Sequence, residues 1–192
     1  MLLRRKNNAG QTEVTQNPPH RRRRGISVRY VVIFAMLGAL MFISKLLMEA
    51  LPNVHLIGVF IVALTVVYRT RALWPIYVFV MLTGLYAGFA PWWVPYLYIW
   101  TVLWGVTMLL PRRMPPQVAP VVYSVVCAAH GFLFGTLYAP AQALLYGLDL
   151  AGMIGWIVAG LYADLLHGIG NLAVSVLIVP LIQLIRRVDK RA

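Results

Sequence analysis

Asp164, His167 and Asn171 stand at i, i+3 and i+7 within an apolar segment, so a helix there carries all three on one stripe. Ionisable residues inside apolar spans are costly and default to functional candidates. A carboxylate and an imidazole one turn apart suit hydrogen bonding to a ligand, proton exchange, or part of a metal site. His130, in an earlier apolar run, is placed to face them. Spacing alone leaves structural hydrogen bonding, ligand contact, and catalysis or metal binding open, and no third metal ligand is defined.

A second group of candidates lies in short connections. Glu49, Asn53 and His55 flank Pro52, and Lys45 stands four residues before Glu49, the spacing of a helical ion pair. Trp92, Trp93, Tyr96 and Trp100 crowd the connection after Pro91, far above the chain average of 12% aromatic residues. Such rings form belts at membrane interfaces, and they also line pockets that hold flat, mostly apolar ligands. Several chemistries are absent. The chain has no phosphate-binding G-x-x-x-x-G-K-[ST] loop, no H-E-x-x-H, no paired C-x-x-C and no G-x-S-x-G. It is read as a non-enzyme with no cofactor and no metal of its own.

The elements that must position these residues follow from composition. Of 192 residues, 61% are apolar and 11% charged, which excludes an ordinary soluble domain. The single Cys127, inside an apolar run, excludes a disulfide scaffold. The expectation is an all-α integral membrane protein, a bundle of six transmembrane helices. Five spans are expected at about residues 28–50, 54–68, 72–89, 92–110 and 118–138. The remaining apolar stretch is too long for one crossing, so residues 139–160 are read as a shallow or re-entrant connection. Span six then covers about 161–185, bent near Pro180.

Residues 1–27 form a basic arm, expected to be disordered and cytoplasmic, followed by a membrane domain at 28–188 and a tail at 189–192. The arginine run 21–24 is explained by topology and anionic headgroups, with no need for nucleic acid. Every one of the 17 cations except Lys45 falls in the N-terminal region through Arg29, the connections at Arg69 and Arg71 and at Arg112 and Arg113, or the C-terminus. The intervening connections carry none. Basic loops stay cytoplasmic, so both termini are placed on the cytoplasmic side of the plasma membrane and the number of crossings is even.

Small residues four apart let helices approach closely in lipid. Ala35 with Ala39, Gly84 with Gly88, and Gly131 with Gly135 have this spacing, each explicable by packing within the bundle.

Six short spans, cytoplasmic termini and Ala35-x-x-x-Ala39 together resemble the S-components of energy-coupling factor vitamin transporters. The segments 51–56 (LPNVHL), 88–96 (GFAPWWVPY) and 163–171 (ADLLHGIGN) are similar to that family's first outer loop, third loop and sixth helix. The resemblance covers about residues 28–188. It implies a substrate-binding subunit that captures a vitamin, with cobalamin or a related corrinoid the best guess, at the outer face. It also implies partners: a transmembrane T-component, against which Ala35 and Ala39 would dock, and two cytoplasmic ATPases. Asn53, His55, Trp92, Trp93, Tyr96, Tyr138, Asp164, His167 and Asn171 are the implied ligand contacts. The alternative is a small ion-coupled carrier or channel relaying protons through Asp164, His167 and Lys45; a membrane enzyme using the Asp164 and His167 stripe is a third reading.

Overall fold

The computed structural model describes residues 28–49 and 55–191, with side chains as far as Asp189. The basic arm at 1–27 and the candidate Asn53 lie outside the described residues. Among those described the chain is all-helical. The helices are α1 (Val28–Leu47), α2 (Ile57–Tyr68), α3 (Leu73–Ala87), α4 (Tyr96–Leu109), α5 (Val118–Phe132), α6 (Phe134–Tyr146), α7 (Leu150–Val174) and α8 (Ile178–Arg191). Four stretches, Val28–Leu47, Ile57–Ala87, Val118–Tyr146 and Leu150–Asp189, are long and apolar enough to cross a membrane.

The distribution of side chains suits lipid as solvent. Large apolar residues such as Met36, Leu40, Ile43, Ile154, Val158 and Leu165 are exposed on the outside. His130, Gln142, Asp164, His167 and Asn171 are buried inside. A polar group facing hydrocarbon has no partner, so it turns toward protein.

α2 is the axis of the bundle. Its residues from Ile57 to Thr65 are all buried, and every face of it is apolar, as a helix enclosed by other helices requires. α4 and α8 pack along it, α3 lies against α1, and α5 pairs with α7. α8 contributes Ile178, Ile182 and Ile185 as one buried stripe while Arg186 and Arg187 stay exposed.

The breaks between helices have local causes. α2 ends at Arg69, a non-glycine residue at φ 56°, and a 3-10 turn over Arg69–Ala72 leads into α3. Strain at Arg69 is held by two bonds: its guanidinium donates to the Met108 carbonyl at 2.7 Å, and its own carbonyl accepts from Trp104 Nε1 at 3.1 Å. Upstream of Pro180 the chain tightens into a 3-10 turn, Ser175–Leu177, before α8 restarts. A proline ring clashes with the carbonyl four residues earlier, so the bend expected near Pro180 falls just before it.

Two expectations from sequence are corrected. Residues 139–160 are not a loose connection but helical for most of their length: α6 continues to Tyr146 and α7 begins at Leu150. The turn between them is short because Gly147 closes α6 in the left-handed conformation (φ 66°) and the Asp149 side chain caps α7 by accepting from Gly152 N at 2.7 Å. Gly84 and Gly88 do not form a packing pair, since Gly88 lies beyond α3 at φ 86°, where only glycine is comfortable. Gly131 does serve close packing. A Cβ there would stand 2.9 Å from the Gly168 Cα, so α5 and α7 touch backbone to backbone.

The ends of the bundle differ. Arg29 at the start of α1 binds Asp189 near the end of α8, donating to its carbonyl at 2.9 Å with the carboxylate 3.8 Å away. Arg71 lies over the Tyr30 ring at 5.3 Å, which brings the turn after α2 to the same end. Lys45, His55 and the α6–α7 turn belong to the opposite half.

Candidate functional site

A cavity of about 430 Å³ opens in the half of the bundle remote from Arg29 and Asp189. Its walls come from several helices and the residues preceding α2. α3 and α4 supply Phe79, Tyr96 and Trp100; α6 supplies Phe134 and Tyr138; α7 supplies Trp156, Asp164 and His167. His55 and Lys45 reach it from the first connection and the end of α1.

The α5–α6 break builds much of this site. α5 stops at Phe132, Leu133 leaves helical geometry (φ −101°, ψ 4°), and α6 starts at Phe134. The amide of Gly135, at the start of the new helix, has lost its intrahelical acceptor. Asp164 on α7 supplies one, with Oδ1 accepting from Gly135 N at 2.8 Å. A carboxylate at a helix N-terminus also meets the positive end of the helix dipole. A side chain at 135 would push the carboxylate aside, because a Cβ there would lie 2.7 Å from Asp164 Oδ2.

The break turns Phe134 into the cavity. Its ring lies 4.7 Å from that of His167 and 5.6 Å from that of Trp100, and Trp100 in turn packs edge-on against Tyr96 at 5.5 Å. Tyr138 and Trp156 stack nearly parallel, 9° apart at 5.7 Å, and close the opposite side. His55 meets His167 edge to face at 5.8 Å. Pairs among the Phe, Tyr and Trp rings contribute about 0.5–1.5 kcal/mol each beyond their buried area, which favours this arrangement of the wall.

Several polar atoms of the wall have no hydrogen-bond partner among the described residues: Asp164 Oδ2, Trp100 Nε1 and His55 Nδ1. Trp100 and Asp164 are 3% and 5% exposed. An unpaired buried polar group costs about 1–3 kcal/mol. These atoms have almost no accessible surface, so they lie within the wall and not on its open face.

Of the residues singled out from sequence, His55, Tyr96, Tyr138, Asp164 and His167 line the cavity. Trp92, Trp93 and Asn171 do not. Trp92 offers its carbonyl to the Tyr138 hydroxyl, and Trp93 Nε1 donates to the Val80 carbonyl at 2.8 Å, so both brace the wall from behind. Asn171 donates to the Cys127 carbonyl at 3.1 Å and ties α7 to α5 below the cavity. His130 lies behind Trp100, with Nε2 3.1 Å from the Ile99 carbonyl. Lys45 pairs with Glu49 at 3.4 Å as its spacing suggests, and also lines the cavity. Trp156 and Phe134 are cavity residues that the sequence reading does not single out. Trp156 does carry a signal, since it stands eight residues before Asp164 and therefore on nearly the same helical face.

Among the described residues no group of three or more His, Cys, Asp or Glu is placed to hold a metal ion. Ala35 is exposed and Ala39 half-buried on α1, whose Gly38, between them, is the residue pressed against α3 at Val78 and Pro75. Comparison with protein-family models, curated proteins and solved structures finds no match to this chain.

Proposed function

We propose that the chain is the substrate-capturing membrane subunit of a vitamin importer, an S-component of the energy-coupling factor type. It crosses the plasma membrane six times, with both termini in the cytoplasm. α1, α2, α3, α4, the α5–α6 pair and the α7–α8 pair serve as the crossings. The observation that carries the reading is the open, aromatic-walled cavity at the cation-poor end, with His55, Asp164 and His167 in its lining. By the charge asymmetry of the loops this end faces outward.

A cavity of about 430 Å³ falls in the range that encloses drug-sized ligands. Within this proposal a compact vitamin fits better than a corrinoid, which needs a much larger chamber. The chain carries no nucleotide-binding motif, so work on the substrate is assigned to a T-component and two cytoplasmic ATPases, with Ala35 and Ala39 on the docking face of α1.

The test is purification of the full chain in detergent, a vitamin-binding panel without ATP, and affinity capture of partners from the native membrane. Tight binding of one vitamin together with an ATPase module is the expected result. Uptake by the chain alone in proteoliposomes, driven by an ion gradient, would replace this reading with the carrier one.

A further inference from the structure

A second pocket, of about 200 Å³, opens at the other end of the bundle, where the ends of α2 and α4 meet the second turn of α5. Arg69, Thr107, Arg112 and Tyr123 supply its polar lining, and Val66 and Leu110 are among its apolar residues. It shares no residue with the aromatic cavity, so its occupant is independent of vitamin capture. In the proposed topology this cation-rich end is the cytoplasmic one.

The polar atoms left open there are donors. Arg69 Nη2 is spent on the Met108 carbonyl at 2.7 Å, which pins the guanidinium, while Nη1 has neither a bond among the described residues nor full burial. Tyr123 is only 8% exposed, yet its hydroxyl keeps accessible surface and makes no bond to the described residues. Arg112 is exposed and enters neither of the ion pairs found among the described residues. The neighbouring hydroxyl and carbonyls are already engaged. Thr107 Oγ1 donates to the Leu103 carbonyl at 2.8 Å, and the Thr107 carbonyl accepts from Leu110 N at 3.2 Å.

No carboxylate answers these cations. Of the acids among the described residues, Asp149 caps α7 and Asp164 caps α6 in the other half of the bundle, Glu49 pairs with Lys45, and Asp189 is held by Arg29. A neutral occupant would leave both guanidinium charges uncompensated. A phosphate group compensates them and has enough oxygens to accept from both arginines and from the tyrosine hydroxyl together. Topology alone accounts for basic residues at this end. It does not call for a buried tyrosine whose hydroxyl stays open to the same pocket, nor for an arginine at φ 56°, a conformation that glycine adopts without strain. Basic pockets between helices at the cytoplasmic face of a membrane suit lipid head groups. We infer that this pocket binds a phosphate group through Arg69, Arg112 and Tyr123. An anionic phospholipid of the inner leaflet and a free phosphate share that chemistry.

Calorimetry on the full chain in an uncharged detergent tests it with three probes: dioctanoyl phosphatidic acid, dioctanoyl phosphatidylcholine and inorganic phosphate. Phosphatidic acid is expected to bind, and Arg112→Gln and Tyr123→Phe should each weaken it at least about fivefold. Arg113→Gln removes the same charge from an exposed neighbour outside the lining, and should leave affinity within about twofold of the parent. Binding of phosphatidic acid without inorganic phosphate identifies the lipid as the source. Binding of inorganic phosphate with the same dependence on Arg112 and Tyr123 identifies a free phosphate. If Tyr123→Phe fails to fold, the contrast between the Arg112 and Arg113 variants decides. The inference is overturned by no binding of either phosphatidic acid or inorganic phosphate, or by equal binding of phosphatidylcholine. Equal losses in the two arginine variants, or an unchanged affinity in a folded Tyr123→Phe protein, also overturn it and leave only diffuse attraction to a basic surface.

Discussion

The Asp164 carboxylate and the Gly135 amide meet at 2.8 Å across two helices, so the start of α6 is capped from α7. One residue thus caps a helix through Oδ1 and contributes to the lining of the cavity. Asp164→Ala should leave the Gly135 N–H unpaired and lower unfolding stability by about 1–3 kcal/mol. Asp164→Asn, which keeps an acceptor for that amide, should cost less. Thermal unfolding of the two variants in one detergent measures the difference.

Trp156 lies at the lipid-side edge of the cavity, half-buried and stacked on Tyr138. Trp156→Ala should weaken ligand binding at least about tenfold while the helical circular dichroism and melting temperature stay near those of the parent, since the side chain is no part of the core around α2. A large fall in melting temperature with unchanged affinity would reverse the assignment.

Gly131 sits where α5 and α7 approach backbone to backbone. Gly131→Val should force them apart and lower stability by about 1–3 kcal/mol, read as reduced yield and earlier aggregation on heating. Gly105, on α4, has open space within 4 Å of where a Cβ would stand, so Gly105→Ala should be neutral or slightly stabilising in the same assay.

Ala35 is exposed on α1, away from the cavity. If the proposed importer reading holds, Ala35→Leu should leave vitamin affinity within about twofold of the parent, yet abolish recovery of a T-component and ATPases on affinity capture. Loss of vitamin binding in this variant would place Ala35 in the ligand site instead.

Asp164 and His167 are legible together in the sequence because i and i+3 share a helical face in any register. Asn171 shares that stripe but lies another turn along, too deep for the cavity, and spacing along a helix does not say where a cavity ends. Trp92 and Trp93 stand behind the wall because Pro91 opens a 3-10 turn from which Trp93 Nε1 donates to the Val80 carbonyl and the Trp92 carbonyl accepts from the Tyr138 hydroxyl, a direction that composition does not encode. Trp156 escapes notice with its whole segment. Gly155 and Gly160 weaken a helix by a rule learned in water, whereas glycine is common in membrane helices. The interruption at Leu133, which aims Phe134, has no marker in its own residues; it is sustained by Asp164, about thirty positions downstream, as tertiary contacts often override local preference.

α2 has one further consequence, for the order of events during synthesis. It is made before α4, α5, α7 and α8, the helices that later surround it. In the proposed six-span topology, α2 has only α1 beside it while the ribosome is still extending the chain, and rests against acyl chains on its remaining sides. The uninterrupted run from Ile57 to Leu64, without a charge on any side, lets the same helix be stable first as a lone insert and afterwards as the sheathed axis.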